Sequence, residues 1–439
     1  MMRFLRAPIF ILCLLAFLCS LSYSFYFRVK PSVDARTYDD IGWNLAQGLG
    51  YRAALDATLD RDQSIIYSGP GYELFLAGIY RVFGHRYEPV WILQSLFHAL
   101  SAFFVFLISR RVFRQHWSEG LGLIAAAFVG FSPDLITNSS MLLTENFAIF
   151  LMLAAVYFFF RYRDSFAWSD WATLLVFLVA GVAVRTPIIF LLPVFLIFFV
   201  FRRQWFRAVL FVLLFAAVFA PWTLRNWRVY HAFIPFNSNA GIQLAVGNHV
   251  GATGEQEPLP IIGPYFQELG VVAAERQLVR DALVFIVTHP IEFLKITAYR
   301  VSIYFSFARP NGFWFHLHGG IKAATLVLSS AYAFLLFMFG FLGLTKIGVL
   351  SSTDRVSARW LAAMLVLMPL AIVFVVVETR YRFLSYPFLA LFAGYGAQEL
   401  FTGRISWKSI FAVFVVVVAN TGFDVWRNIA RIMQQIQSL

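Results

Sequence analysis

Long apolar runs alternate along the chain with short polar connectors, and only two polar stretches are long enough to build structure outside a membrane. The first apolar run, 7–27, is about 20 residues, enough to cross a ~30 Å hydrocarbon core at ~1.5 Å per residue. Its basic start also fits a signal peptide, but its length predicts a retained first helix with Arg3 and Arg6 on the cytoplasmic side. Further spans are expected at 90–108, 121–131, 146–160, 171–184, 188–201 and 209–220, then at 323–344, 361–377, 383–397 and 410–420. The run 291–307 is broken by Lys295 and Arg300, so it is placed in the interface instead of across it. That placement leaves Lys346, Arg355, Arg359, Arg404 and Lys408 in the cytoplasm, and counting it as a span puts most of them outside. The pattern predicts an all-α polytopic bundle of about 11 transmembrane helices, with 12 as the alternative.

The two polar stretches are 28–89 and 221–290, and both face outward in this topology. Between Asp34 and Glu88 lie eight of the chain's 23 acidic residues, and short amphipathic helices are expected there. In the second stretch, 268–287 has helical periodicity, and 237–290 is expected to form a small periplasmic cap on the acceptor side. The remaining C-terminal helices, 321–439, complete one transmembrane module over 1–439. No internal repeat stands out, so a transporter built from two similar halves gains no support.

Composition sharpens this picture. With 60% hydrophobic and 13% charged residues, the chain is an integral membrane protein. The net charge of +12 would point to nucleic acid in a soluble chain, but here Lys and Arg cluster between apolar runs, where they orient the protein. No nucleic acid partner is expected. Cys13 and Cys19 stand six apart on one helix and fit neither a disulfide nor a metal site. His316 and His318 lack a neighbouring carboxylate or Cys, and the glycines from Gly247 to Gly254 lack the strand and helix of a nucleotide loop. No cofactor is required; a divalent metal is possible but not indicated.

The topology gathers Asp34, Glu145, Arg185, Arg225 and Arg380 on the outer side, from five separate parts of the chain. Acids and bases at helix ends on one membrane face call for a polar ligand or a water-filled cavity.

The sequence DARTYDDIGWNLAQGLGY, followed by YSGPGYELFLAGIYRVFG, resembles the first external loop of the GT-C superfamily of polyprenyl-phosphate-sugar-dependent glycosyltransferases. It looks most like the bacterial relatives of protein O-mannosyltransferases and lipid A aminoarabinose transferases. Asp34 matches the family's catalytic Asp, Tyr38 its Tyr, and 70–72, with Tyr72, its Pro-Tyr element. Ala35 stands where Glu is common, and Thr144-Glu145 resembles a Thr-Asp pair with Glu in place of Asp. VRTP, APWTLRNW with SNAGIQLAVGN, and ETRYRFLSYP also look like family elements, so the resemblance runs from residue 25 to about 396.

The resemblance implies an inverting glycosyltransferase that takes a sugar from a polyprenyl-phosphate donor of the undecaprenyl-phosphate type. The acceptor would be a hydroxyl on a glycan, lipid or protein at the outer face of a bacterial inner membrane, with membrane lipid as the surrounding partner. Asp34 would be the general base, and Glu145 would orient the acceptor or pair with an arginine. Arg380, Arg382, Tyr381, Arg225 and Arg185 would hold the donor phosphate, with Tyr38, Asp39, Asp40 and Tyr72 as further candidates. Plainer readings stand beside these. Asp34 fits a helix N-cap, Asp39 and Asp40 a solvated helix face, and Arg380 and Arg382 snorkelling cations. A secondary transporter or lipid flippase, or a non-catalytic assembly factor, remains the alternative function.

Overall fold

The computed structural model describes residues 7–58, 61–67, 69–309 and 315–429, so Arg3, Arg6 and Asp60 lie outside the described residues. Helix α1, Ala7–Phe27, matches the first predicted span and is followed by α2, Asp34–Ala46, α3, Ser64–Tyr67, and α4, Pro70–Phe83, which build the first loop. Helices α5, Glu88–Val112, α6, Glu119–Gly130, α7, Pro133–Ser139, α8, Glu145–Ser165, and α9, Trp168–Val184, follow. A 3-10 turn, Thr186–Leu191, leads into α10, Leu192–Phe201, and then α11, Trp205–Tyr230. The second polar stretch holds α12, Ala240–Gly247, α13, Ile262–Leu269, and α14, Val271–Thr288, ahead of α15, Pro290–Tyr304. Helices α16, Gly319–Thr345, α17, Ser352–Val373, α18, Tyr386–Phe401, and α19, Trp407–Arg427, close the chain, with a 3-10 turn, Thr379–Leu384, before α18. Among the described residues the fold is helical, and Glu255 and Val377 form an isolated parallel bridge.

Among the described residues, seven helices are long and apolar enough to cross a membrane: α1, α5, α8, α11, α16, α17 and α19. The number rises to nine if α6 with α7, bent by 50°, and α14 with α15, bent by 106°, are each one broken span. Each of the eleven predicted runs contains a helix, though α17 ends at Val373, short of the predicted 377, and α6, α9, α10 and α18 have 12, 17, 10 and 16 residues, short for a crossing. Helix α18 shows why short apolar helices occur here. Every residue from Tyr386 to Ala397 is buried, so its partner is protein and not lipid. It packs on α16 through glycines, and a Cβ at Gly343 would lie 2.0 Å from the Phe392 carbonyl oxygen.

Two boundaries differ from the sequence reading. Helix α11 runs through Pro221 to Tyr230, so the second polar stretch begins about two and a half turns of helix later than 221. The Thr223 hydroxyl donates to the Phe219 carbonyl four residues back at 2.8 Å, and a proline inside an apolar membrane helix is tolerated without ending it. Arg300, whose charge argued for an interfacial 291–307, is fully buried in protein. It donates to the Val373 carbonyl at 3.2 Å, to Asn248 Oδ1 at 3.1 Å and to the Gly247 carbonyl, fastening the cap to α17.

Candidate functional site

The first residue of α2 is Asp34, and the residue before it, Val33, has φ 52° and ψ −125°. A β-branched residue in that region is strained, and such strain persists where surrounding structure imposes it. The N-cap position falls on Val33 and not on Asp34. Instead Arg380 Nη2 donates to its Oδ2 at 2.6 Å, which removes the helix-cap reading. The Arg380 Nε donates to Glu378 Oε2 at 2.7 Å, so one guanidinium bridges two carboxylates. Burial works against the Arg380 charge, but Glu378 and then Asp34 outweigh it and raise its pKa well above the ordinary value. Its side chain is 8% exposed against 21% for Asp34, so it is not snorkelling and Asp34 faces open space.

A second pair lies alongside. Arg185 Nη1 donates to Glu145 Oε1 at 2.9 Å and to Thr144 Oγ1 at 2.7 Å, where α9 ends beside the start of α8. Glu145 is fully buried. Tyr381 joins the two pairs: the Arg185 guanidinium carbon is 5.7 Å from its ring centroid and that of Arg380 is 5.6 Å away. Its hydroxyl donates to Gln256 Oε1 at 2.8 Å, and burial first of all pushes its pKa up to about 12. Tyr38 is also raised, by burial and then by Asp34, so it stays a neutral donor.

These groups line a cavity of about 880 Å³. Asp34, Tyr38, Thr144, Arg185, Arg380 and Tyr381 form its charged and phenolic wall. Carboxamides from Asn237, Gln243 and Gln256 face it, and Gln243 Oε1 is buried without a hydrogen-bond partner. Pro187, Phe190, Ile372 and Val376 give it an apolar side. Among the described residues, no three His, Cys, Asp or Glu side chains converge as a metal site.

Other candidates lie elsewhere. Arg382 is 1% exposed and donates to the Ser306 carbonyl at 2.6 Å and the Arg309 carbonyl at 2.5 Å, with its guanidinium carbon 5.7 Å from the Tyr386 ring centroid. At about three residues per turn, two positions along a 3-10 turn point roughly 120° apart, so Arg380 and Arg382 cannot share one face. Arg225 donates to the Tyr51 carbonyl at 2.9 Å and ties α11 to the first loop. Tyr72 donates to Gln94 at 3.3 Å, and its ring meets that of Tyr38 edge-on at 5.6 Å, so it supports the wall without lining it. Asp40 is exposed, in keeping with a solvated face. Asp39 is not: it is buried and accepts from Tyr80 at 2.6 Å, Tyr87 at 2.7 Å and His85 at 2.8 Å. His316 Nε2 lies 2.8 Å from the Tyr23 hydroxyl, which anchors it to α1.

Sequence reasoning passed over Glu378 and the carboxamide wall. Glu378 stands two residues before Arg380 in the ETRYR segment, a usable signal, whereas the cap's Asn and Gln residues carry none until the chain folds over the cavity.

The family model described as dolichyl-phosphate-mannose-protein mannosyltransferase matches residues 68–224, a segment holding Tyr72, Glu145 and Arg185 but neither Asp34 nor Arg380. The resemblance read from the sequence thus has independent support over that segment. No curated protein matches the chain. Among solved structures, ArnT from Cupriavidus metallidurans bound to undecaprenyl phosphate aligns at 15% identity over 94% of this chain and 63% of that one, with a TM-score of 0.44. The archaeal oligosaccharyltransferase AglB from Archaeoglobus fulgidus, in complex with an inhibitory peptide and a dolichol-phosphate, aligns at 12% identity over 94% of this chain and 55% of that one, with a TM-score of 0.48. The chain thus spans less than two thirds of either protein.

Proposed function

We propose that this chain is an inverting membrane glycosyltransferase that moves a sugar from a polyprenyl-phosphate donor to an acceptor hydroxyl, with the cavity as its active site. The observation that carries the reading is Asp34, a carboxylate on the cavity wall with one oxygen on Arg380 at 2.6 Å and 21% of its side chain exposed. The mannosyltransferase match over 68–224 supports the same class. The acceptor oxygen attacks the anomeric carbon, its proton passes to Asp34, and the bond from that carbon to the phosphate oxygen breaks. The polyprenyl phosphate leaves with added negative charge, which Arg380 and Arg185 offset. The apolar side at Pro187, Phe190, Ile372 and Val376 receives the first isoprene units. Residues 28–89 supply the base, the cap within 221–290 faces the acceptor, and 321–439 carry Arg380. In this reading the protein sits in a bacterial inner membrane with the cavity on the outer side.

The test is release of free polyprenyl phosphate by purified protein in nanodiscs, offered a panel of polyprenyl-phosphate sugars and a membrane extract as acceptor. Wild type is expected to release it with one donor, and Asp34→Asn to be at least ~100-fold slower, the scale of a lost general base. Equal release from both removes Asp34 from the chemistry. Transport of the donor without release of polyprenyl phosphate would favour a flippase.

A further inference from the structure

The far end of the bundle carries a second concave site. Helix α8 begins at Glu145, beside the cavity, and ends at Ser165, so Asp164 lies ~28 Å along it at ~1.5 Å per residue. There a pocket of about 580 Å³ is lined by Leu107, Arg110, Arg111, Arg114, Trp117 and Tyr157. Residues 107, 110 and 111 share one side of the end of α5 in the i, i+3, i+4 register, and Arg114 joins them from the turn that follows, so three guanidiniums and an apolar foot line one pocket.

The arginines are held and incompletely neutralised. The Arg110 guanidinium carbon is 5.6 Å from the Trp117 ring centroid, and that of Arg111 is 5.1 Å from that of Tyr157. Arg111 Nη1 donates to Asp164 Oδ2 at 2.9 Å, and Arg114 reaches the same oxygen. Arg163 Nη2 takes the other oxygen at 3.1 Å. Three guanidiniums therefore share the Asp164 carboxylate, and with Arg110 the four leave a local surplus of three positive charges. Two other arginines at this end have a carboxylate of their own: Arg161 with Asp170, and Arg404 with Glu399.

We propose that this pocket binds the phosphate of an anionic phospholipid in the leaflet away from the cavity. The phosphate sits between Arg110 and Arg114, and an acyl chain runs past Leu107 along the lipid-facing side of α5. Arg forks match phosphate oxygens bidentately, and the pocket's position at a helix end sets it at headgroup depth. Snorkelling arginines on a convex surface would need no pocket; here aromatic rings back two of the three forks.

The test is native mass spectrometry and titration of detergent-solubilised full-length protein with phosphatidylglycerol, phosphatidylcholine or inorganic phosphate. Wild type is expected to bind phosphatidylglycerol at least ~10-fold tighter than Arg110→Gln/Arg114→Gln does. Phosphatidylcholine should bind weakly to both. The control Arg404→Gln/Lys408→Gln removes the same charge from the same end and should bind as wild type does. Undiminished binding by the first variant, or an equal loss in the control, overturns the site. Inorganic phosphate displacing the lipid at equal concentration overturns the lipid assignment. Donor turnover should survive in Arg110→Gln/Arg114→Gln, so the result stands apart from the identity of the cavity's chemistry.

Discussion

At one end of α8, Glu145 meets the guanidinium of Arg185, while at the other Asp164 meets three, from Arg111, Arg114 and Arg163. The first pair is enclosed, with Glu145 fully buried and Arg185 14% exposed. The second cluster is open, with Arg114 42% exposed. Charge in a low-dielectric interior is costly unless matched, whereas water and salt screen charge at an open end. One helix thus shows both regimes: burial enforces pairing, and surplus charge persists where an anion or solvent reaches it. The same contrast separates Arg380, which bridges Asp34 and Glu378 at the cavity, from Arg382, which donates to the backbone carbonyls of Ser306 and Arg309.

The largest effect that tests this contrast is expected from Arg185→Gln, which leaves Glu145 buried without its cation. It should cost about 3 to 5 kcal/mol of stability, read as a lower unfolding temperature in detergent. A change below about 1 kcal/mol would mean that something other than Arg185 compensates the Glu145 carboxylate, and the enclosed-end argument would fail. Next comes Arg380→Lys, which keeps the charge but loses the fork that reaches Asp34 and Glu378 together. Donor turnover is expected to fall ~100-fold with little change in stability, and kcat should drop more than KM rises. A drop confined to KM would assign Arg380 to ground-state binding alone. The smallest effect is expected at the open end, where Arg114→Gln should shift stability by no more than about 1 kcal/mol and less at high salt. A loss as large as that of Arg185→Gln would erase the difference between the two ends.

Much of the architecture was legible because its signals are local. Runs of apolar residues forced helices, and α1 starts and stops where its run does. The boundary at Pro221 was misread because a proline inside an apolar membrane helix bends it without having to end it. Asp34 was legible as a carboxylate opening an amphipathic helix. Asp39, five residues on, looked like a solvated acid, yet Tyr80, Tyr87 and His85 fold over it from α4 and the segment that follows.

The sequence by itself determined that this is a helical protein of a membrane, and that acids and arginines gather where its polar loops meet helix ends. Those follow from hydropathy and charge, which each residue carries wherever the chain places it. Only the tertiary structure decided that Asp34 pairs with Arg380, 346 positions away, and that Arg185 pairs with Glu145. It alone decided that Arg382 turns into the core and that the cap's carboxamides face the cavity. Pairing is a property of distance and direction, and neither exists until packing has brought α2, α8, α9 and the 379–384 turn to one wall.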